Sequence, residues 1–196
     1  MVWDPLLRLF HWSLVFFFFL AYLFESDQLN LHGHAGYTVL LLLLFRLVWG
    51  VIGSRHARFS DFVVSPANSF LYLKQLFSGT ANRHIGHNPA GSAMILVLLI
   101  SLLITAFSGT CLFAMEGSGP LANTFVSSWP GHVVEEVHEF FSNFTLILII
   151  VHVVGVLLTS LLHKENLTKA MITGEKRRNP DLSGNCVGKP YHGKNV

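Results

Sequence analysis

His138 and His152 stand fourteen residues apart in one apolar run, His138 to Leu162. That interval is just under four helical turns, so both rings share roughly one side of a helix and lie about 21 Å apart along it. A ring nitrogen in hydrocarbon is costly unless it is paired, and buried imidazole is a good axial ligand for haem iron. Two rungs on one helix therefore point to two haems at two depths. Bridging hydrogen bonds between helices are the plainer use of the same rings.

The elements that must position these rings are membrane spans. Hydrophobic residues make up 52% of the 196-residue chain and charged residues 12%, with 17 Phe and a mean hydropathy of +0.52. That composition lies far from a soluble domain, and one domain of this length has room for four spans. The expected fold is all-α: a transmembrane four-helix bundle with two haems stacked across the membrane, in a domain covering residues 1–178. Residues 179–196 are expected to form a disordered cytoplasmic tail.

The first span is expected from Leu6 to Phe24, entered through Trp3, Arg8 and Trp12 at interface depth, with His11 one turn inside. No small-x-small cleavage site follows it, so it is read as a retained span and not a signal peptide. The second span runs from His32 or His34 to Ile52, and its continuous apolar run shows no strand alternation. Gly36 near its start permits close approach of a helix or a flat macrocycle. Arg46 near its end wants an anion, for which a haem propionate is a candidate, or else snorkels to the interface.

Residues 53–89 are too polar to span. Within them Phe62, Phe70, Leu71, Leu73, Leu76 and Phe77 with Lys74 suggest a short interfacial helix, with Pro66 in its first turn. The third span, Ala90 to about Phe113, holds no histidine and is expected to pack the bundle without ligating anything. Ala114 to Glu136 forms an external loop rich in Gly, Ser and Pro.

Charge orients the whole. All thirteen Lys and Arg fall on the side that holds both termini and the middle loop. The opposite side carries Glu25, Asp27, Glu116, Glu135, Glu136 and Glu139. The positive-inside rule then makes both termini cytoplasmic, in a bacterial inner membrane with the acidic loops in the periplasm. The acidic cluster is either a solvated face or a docking patch for a cationic redox protein. The sequon Asn166-Leu167-Thr168 falls on the basic side and is discounted as a glycosylation site. A formal charge of +2 suggests no nucleic-acid partner. Cys111 and Cys186, the two cysteines, form no Cys-x-x-Cys-His run, which excludes a covalent c-type haem and any thiolate cluster.

With that topology, His11 lies at cytoplasmic depth and can meet His152 across an inner haem. A histidine of the second span can meet His138 across an outer one. His32 and His34 point to opposite faces of their helix, so periodicity alone does not choose between them. Bis-histidine ligation of two noncovalent b haems suits electron transfer and leaves no open position on iron.

From Trp3 to Arg178 the chain resembles the bacterial cytochrome b561 family, which includes the b-type cytochrome subunits of nickel–iron hydrogenases. The resemblance rests on Arg8-Leu9-Phe10-His11-Trp12, on His32 followed by Gly36-Tyr37 and Arg46-Leu47-Val48-Trp49-Gly50, and on the run Gly53 to Phe62. It continues through Gly86-His87-Asn88-Pro89-Ala90-Gly91, His138-Glu139, and the run His152 to His163. In that family the second-span ligand precedes a glycine by four residues, which implies His32 over His34. The family also implies one ligand from the first span, two from the fourth and none from the third.

The resemblance further implies electron exchange between quinone or quinol in the membrane and a periplasmic redox protein or partner enzyme subunit. A superoxide:quinone oxidoreductase is the alternative within the family, although an anion funnel outside would call for basic loops. A nonredox metal transporter would need its ligands gathered at one depth, whereas these four are split between two.

Overall fold

The computed structural model describes residues 4–25, 28–54, 57–62, 65–78, 80, 88–162 and 166–174. The Arg55-His56 pair, His87, His163 and the tail 179–196 lie outside them. Seven α-helices are described: α1 Pro5–Leu23, α2 Leu29–Ile52, α3 Phe59–Phe62, α4 Pro66–Phe77, α5 Pro89–Met115, α6 Gly131–Leu162 and α7 Leu167–Thr173, with a 3-10 turn at Phe125–Ser128. Four of them, α1, α2, α5 and α6, are long and apolar enough to cross a membrane. The fold is an all-α, four-span bundle.

Local chemistry sets the helix starts. Asp4 caps α1 by accepting from the Leu7 amide at 2.7 Å, and Asn88 caps α5 by accepting from Gly91 at 2.6 Å. Each is followed by proline, whose fixed φ suits a first helical position. Asn166, the first residue of the discounted sequon, caps α7 by accepting from the Lys169 amide at 2.7 Å. Gly174 closes that helix in the left-handed region at φ 80°, where glycine carries no Cβ penalty.

The packing is inverted relative to a soluble protein. The shared core is small, with Phe18, Val39, Leu43, Leu102 and Ala106 joining α1, α2 and α5. Large apolar side chains such as Leu41, Ile100, Ile147 and Leu161 face outward, where a lipid solvent would cover them. α1 packs on α2, α2 on α5, and α5 most extensively on α6. Between α5 and α6 the fully buried Thr145 meets Ser101 through a 2.7 Å hydroxyl hydrogen bond. Such bonds between membrane helices are worth on the order of 0.6 kcal/mol. α6 makes no comparable packing with α1 or α2, and that open seam is where the candidate site lies.

α6 begins seven residues before the expected His138. At about 1.5 Å per residue its 32 residues span roughly 48 Å, well beyond a hydrocarbon core of about 30 Å. Its first turns, with Glu135, Glu136 and Glu139 exposed, continue past the apolar run. α4 starts at Pro66 as expected and leaves Phe70 73% exposed, while Tyr72 and Ser69 turn inward. Ser69 donates to the Pro89 carbonyl at 3.0 Å and so ties α4 to the start of α5.

Asp4 also joins α1 to the end of α2, accepting from Ser54 Oγ and from Trp49 Nε1 at 3.4 Å. Partial burial pushes its pKa up. The bonds from Ser54, the Leu7 amide and Trp49 outweigh that and leave it below its ordinary value of 3.8. A depressed folded pKa contributes stability that is present above the ordinary value and lost as pH falls through the depressed one. The melting temperature of the detergent-solubilised protein is therefore expected to hold down to about pH 4 and to drop below it. Asp4→Asn keeps the cap acceptor and is expected to flatten that acid limb. Asp4→Ala is expected to cost about 0.5–2 kcal/mol at neutral pH.

Candidate functional site

His32, in the first turn of α2, and His138, on α6, face each other with ring centroids 6.0 Å apart and planes at 85°. The Nδ1 of His32 lies 2.9 Å from the Ala21 carbonyl oxygen, and the Nδ1 of His138 lies 2.9 Å from the Thr105 carbonyl oxygen. A carbonyl only accepts, so each Nδ1 carries its proton and each Nε2 keeps its lone pair. Metal-binding histidines are commonly fixed in this way, by donating the other ring N–H to a backbone carbonyl. His34 turns elsewhere: it is exposed, and its Nδ1 lies 2.6 Å from the Asn30 carbonyl of its own helix.

The two rings line a cavity formed by α1, α2, α5 and α6, with Gly36, Tyr37, Gly109 and Phe113 among its walls. A Cβ built on Gly36 would meet nothing within 4 Å, so the glycine borders open space. Gly109 does the reverse. A Cβ there would lie 2.7 Å from Cε1 of His138 and 3.2 Å from its Nδ1. Ser108 Oγ stands 3.2 Å from the same Nδ1 while donating to the Ile104 carbonyl at 2.8 Å. The third span thus supplies no imidazole but holds His138 through Thr105, Ser108 and Gly109. Small and hydroxyl residues one turn apart are the trace this left in the sequence.

His11 and His152 come near each other at the other end of the seam, close enough for the charge of His152 to act on His11. Nδ1 of His11 is buried with no hydrogen-bond partner, and Trp12 packs edge-on to its ring at 5.1 Å. One turn beyond His152, a Cβ on Gly155 would meet nothing within 4 Å. A buried imidazole nitrogen with no partner among the described residues, and a glycine that leaves room on the helix carrying His152, fit a flat ligated group. Among the described residues, no three His, Cys, Asp or Glu gather as a metal cluster. What is gathered is two histidine pairs, His32 with His138 and His11 with His152.

Arg46 sits on the C-terminal half of α2, only 3% exposed. Its guanidinium lies 4.6 Å from the Phe59 ring centroid, and Asp4 is near enough to act on its charge.

A family model described as prokaryotic cytochrome b561 matches residues 2–174. Three similar chains are each described as a probable Ni/Fe-hydrogenase B-type cytochrome subunit. The one from Rhizobium leguminosarum bv. viciae is 24% identical over 163 residues, covering 74% of this chain and 67% of the relative. The one from Cupriavidus necator is 26% identical over 160 residues, covering 73% and 64%. The one from Azotobacter vinelandii is 24% identical over 162 residues, covering 73% and 65%. The chain thus spans about two thirds of the length of these relatives. No solved structure matches it.

Proposed function

The chain belongs to the prokaryotic cytochrome b561 family, and on that premise we propose that it is a dihaem b-type cytochrome carrying electrons between membrane quinone and a redox partner outside. His32 and His138 would hold the outer haem, and His11 and His152 the inner one. When bound, the haems supply one-electron redox chemistry at iron. The protein supplies spacing, ring orientation and polarity.

The observation that carries this reading is the outer pair, whose two Nδ1–H groups are spent on backbone carbonyls while both Nε2 atoms remain for iron. The Thr105 carbonyl fixes the His138 ring and raises its basicity, and the Ala21 carbonyl does the same for His32. Two imidazoles on an iron would leave no vacant position for oxygen chemistry. Arg46, buried on the inner half of α2, suits the inner propionates.

Orientation follows from charge. Arg8, Arg58, Lys74 and Lys169 lie at the end where α1 begins and α2 and α6 finish, and Glu25, Glu116, Glu135, Glu136 and Glu139 lie at the other. Both termini are then cytoplasmic. The name shared by the relatives makes a partner enzyme subunit one form the outer redox partner can take.

A reduced-minus-oxidised spectrum with haem counted per chain tests the reading, and substitution tests the pairing. His11→Ala and His152→Ala are expected to remove one and the same haem. His32→Ala and His138→Ala are expected to remove the other, and His34→Ala neither. Retention of both haems in His11→Ala would show the inner pairing to be wrong.

A further inference from the structure

The two ends of the seam differ in charge. No Lys or Arg occurs between Leu9 and Phe45 or between His84 and His163, so the helix ends around the outer pair carry no permanent cation. The outer cavity is instead lined by two carboxylates, Glu25 on α1's exit and Glu116 at the end of α5. The other groups at this end that can carry charge are Asp27, His34, His132, Glu135, Glu136 and Glu139, and of these His34, His132 and the three glutamates are exposed. The inner end has Arg8, Arg46 and Arg58, offset in part by Asp4.

Tyr37 lines the same cavity. Its Oη is buried and has no hydrogen-bond partner, and its ring packs on Phe113 at 6.0 Å. A Cβ on Gly119, which has φ 79°, would lie 2.4 Å from that Oη. The glycine leaves room for the phenol to reach the rim. A buried O–H with no acceptor in the protein is expensive, and an anionic edge on the cavity's occupant would satisfy it.

We propose that the outer centre is the lower in potential of the two, with Tyr37 donating to the anionic edge of its occupant and Glu25 and Glu116 adding negative charge that no nearby cation offsets. Negative charge favours ferric over ferrous iron. This inference rests on the dihaem reading above. Tyr37 is a positioning residue in it, acting through a neutral hydrogen bond where the inner end uses arginine.

The test is a spectroelectrochemical titration of the purified full chain in its haem-loaded form, preceded by a haem count. Glu25→Gln and Glu116→Gln are each expected to raise the lower midpoint and leave the higher one in place. Together they shift electron sharing between the centres by about tenfold, ~59 mV for a one-electron couple. Glu116→Lys raises the lower midpoint further. Tyr37→Phe moves the same midpoint down, an opposite sign that general loosening of the site does not produce. Shifts confined to the higher midpoint, or no shift in either, overturn the inference while two haems per chain leave the dihaem reading standing. A count of one or none overturns both.

Discussion

Gly109→Ala is expected to lower the haem content from two per chain to about one, although it adds a single methyl group to a helix with no ligand of its own. A Cβ at this position would sit 2.7 Å from His138 Cε1, inside any tolerable contact. An unpinned imidazole would swing aside at small cost. This one is held by its 2.9 Å bond to the Thr105 carbonyl, so moving the ring breaks the bond that fixes its tautomer. Losses in such outer partners of a metal ligand cost 10–100-fold in affinity. The surviving haem is expected to be the inner one, with the same spectrum that His138→Ala leaves. Ser108→Ala is the control: it removes the secondary contact at 3.2 Å, keeps the carbonyl bond and is expected to retain both haems. Two haems with unchanged midpoints in Gly109→Ala would mean that the ring is free to move and that α5 does not position it.

This dependence on α5 marks where the sequence stops being legible. Imidazoles stand out against hydrocarbon because a polar ring there needs a reason, and the interval of fourteen between His138 and His152 needs only helical geometry to interpret. A carbonyl has no letter of its own. The Thr105 oxygen that fixes His138 belongs to the backbone, and Gly109 contributes by lacking a side chain. From sequence, the third span showed only that it holds no histidine. The choice of His32 over His34 was likewise beyond periodicity, since the two point to opposite faces of their helix, and only the family resemblance favoured His32. His32 lines the cavity, whereas His34 spends its Nδ1 on its own helix, and the proposed choice of His32 rests on that difference.

Helix ends follow the same logic. The start of α1 was nearly legible from Asp4-Pro5, and that of α5 from Asn88-Pro89, because a side-chain cap and a fixed φ act locally. The start of α6 was not, because hydropathy reports where hydrocarbon begins while the helix continues into water. Pro130 opens it, its carbonyl accepting from the Val133 and Val134 amides. Apolar content gave the four spans with little ambiguity, since a long run of such residues has few other uses.

Gly50→Ala is expected to be strongly destabilising for a single added methyl. Its Cβ would fall 2.0 Å from Cε2 of Phe59 and 2.4 and 2.6 Å from the next ring carbons, so Phe59 must leave its place. That ring covers the Arg46 guanidinium at 4.6 Å, and Arg46 is almost wholly buried. Overpacking of this kind costs about 1–3 kcal/mol. Losing a desolvated cation–π contact adds up to about 2. A lowered melting temperature in detergent, with the inner haem lost before the outer on heating, is the expected result.

A double-mutant cycle separates the clash from helix effects, because alanine is the better helix former and should otherwise help. Phe59→Ala alone loses the cover over Arg46. In that background Gly50→Ala meets no ring and is expected to be neutral or mildly stabilising. Simple additivity of the two changes would show that Phe59 is not what Gly50 makes room for, and that Arg46 is held at this depth by something other than the ring.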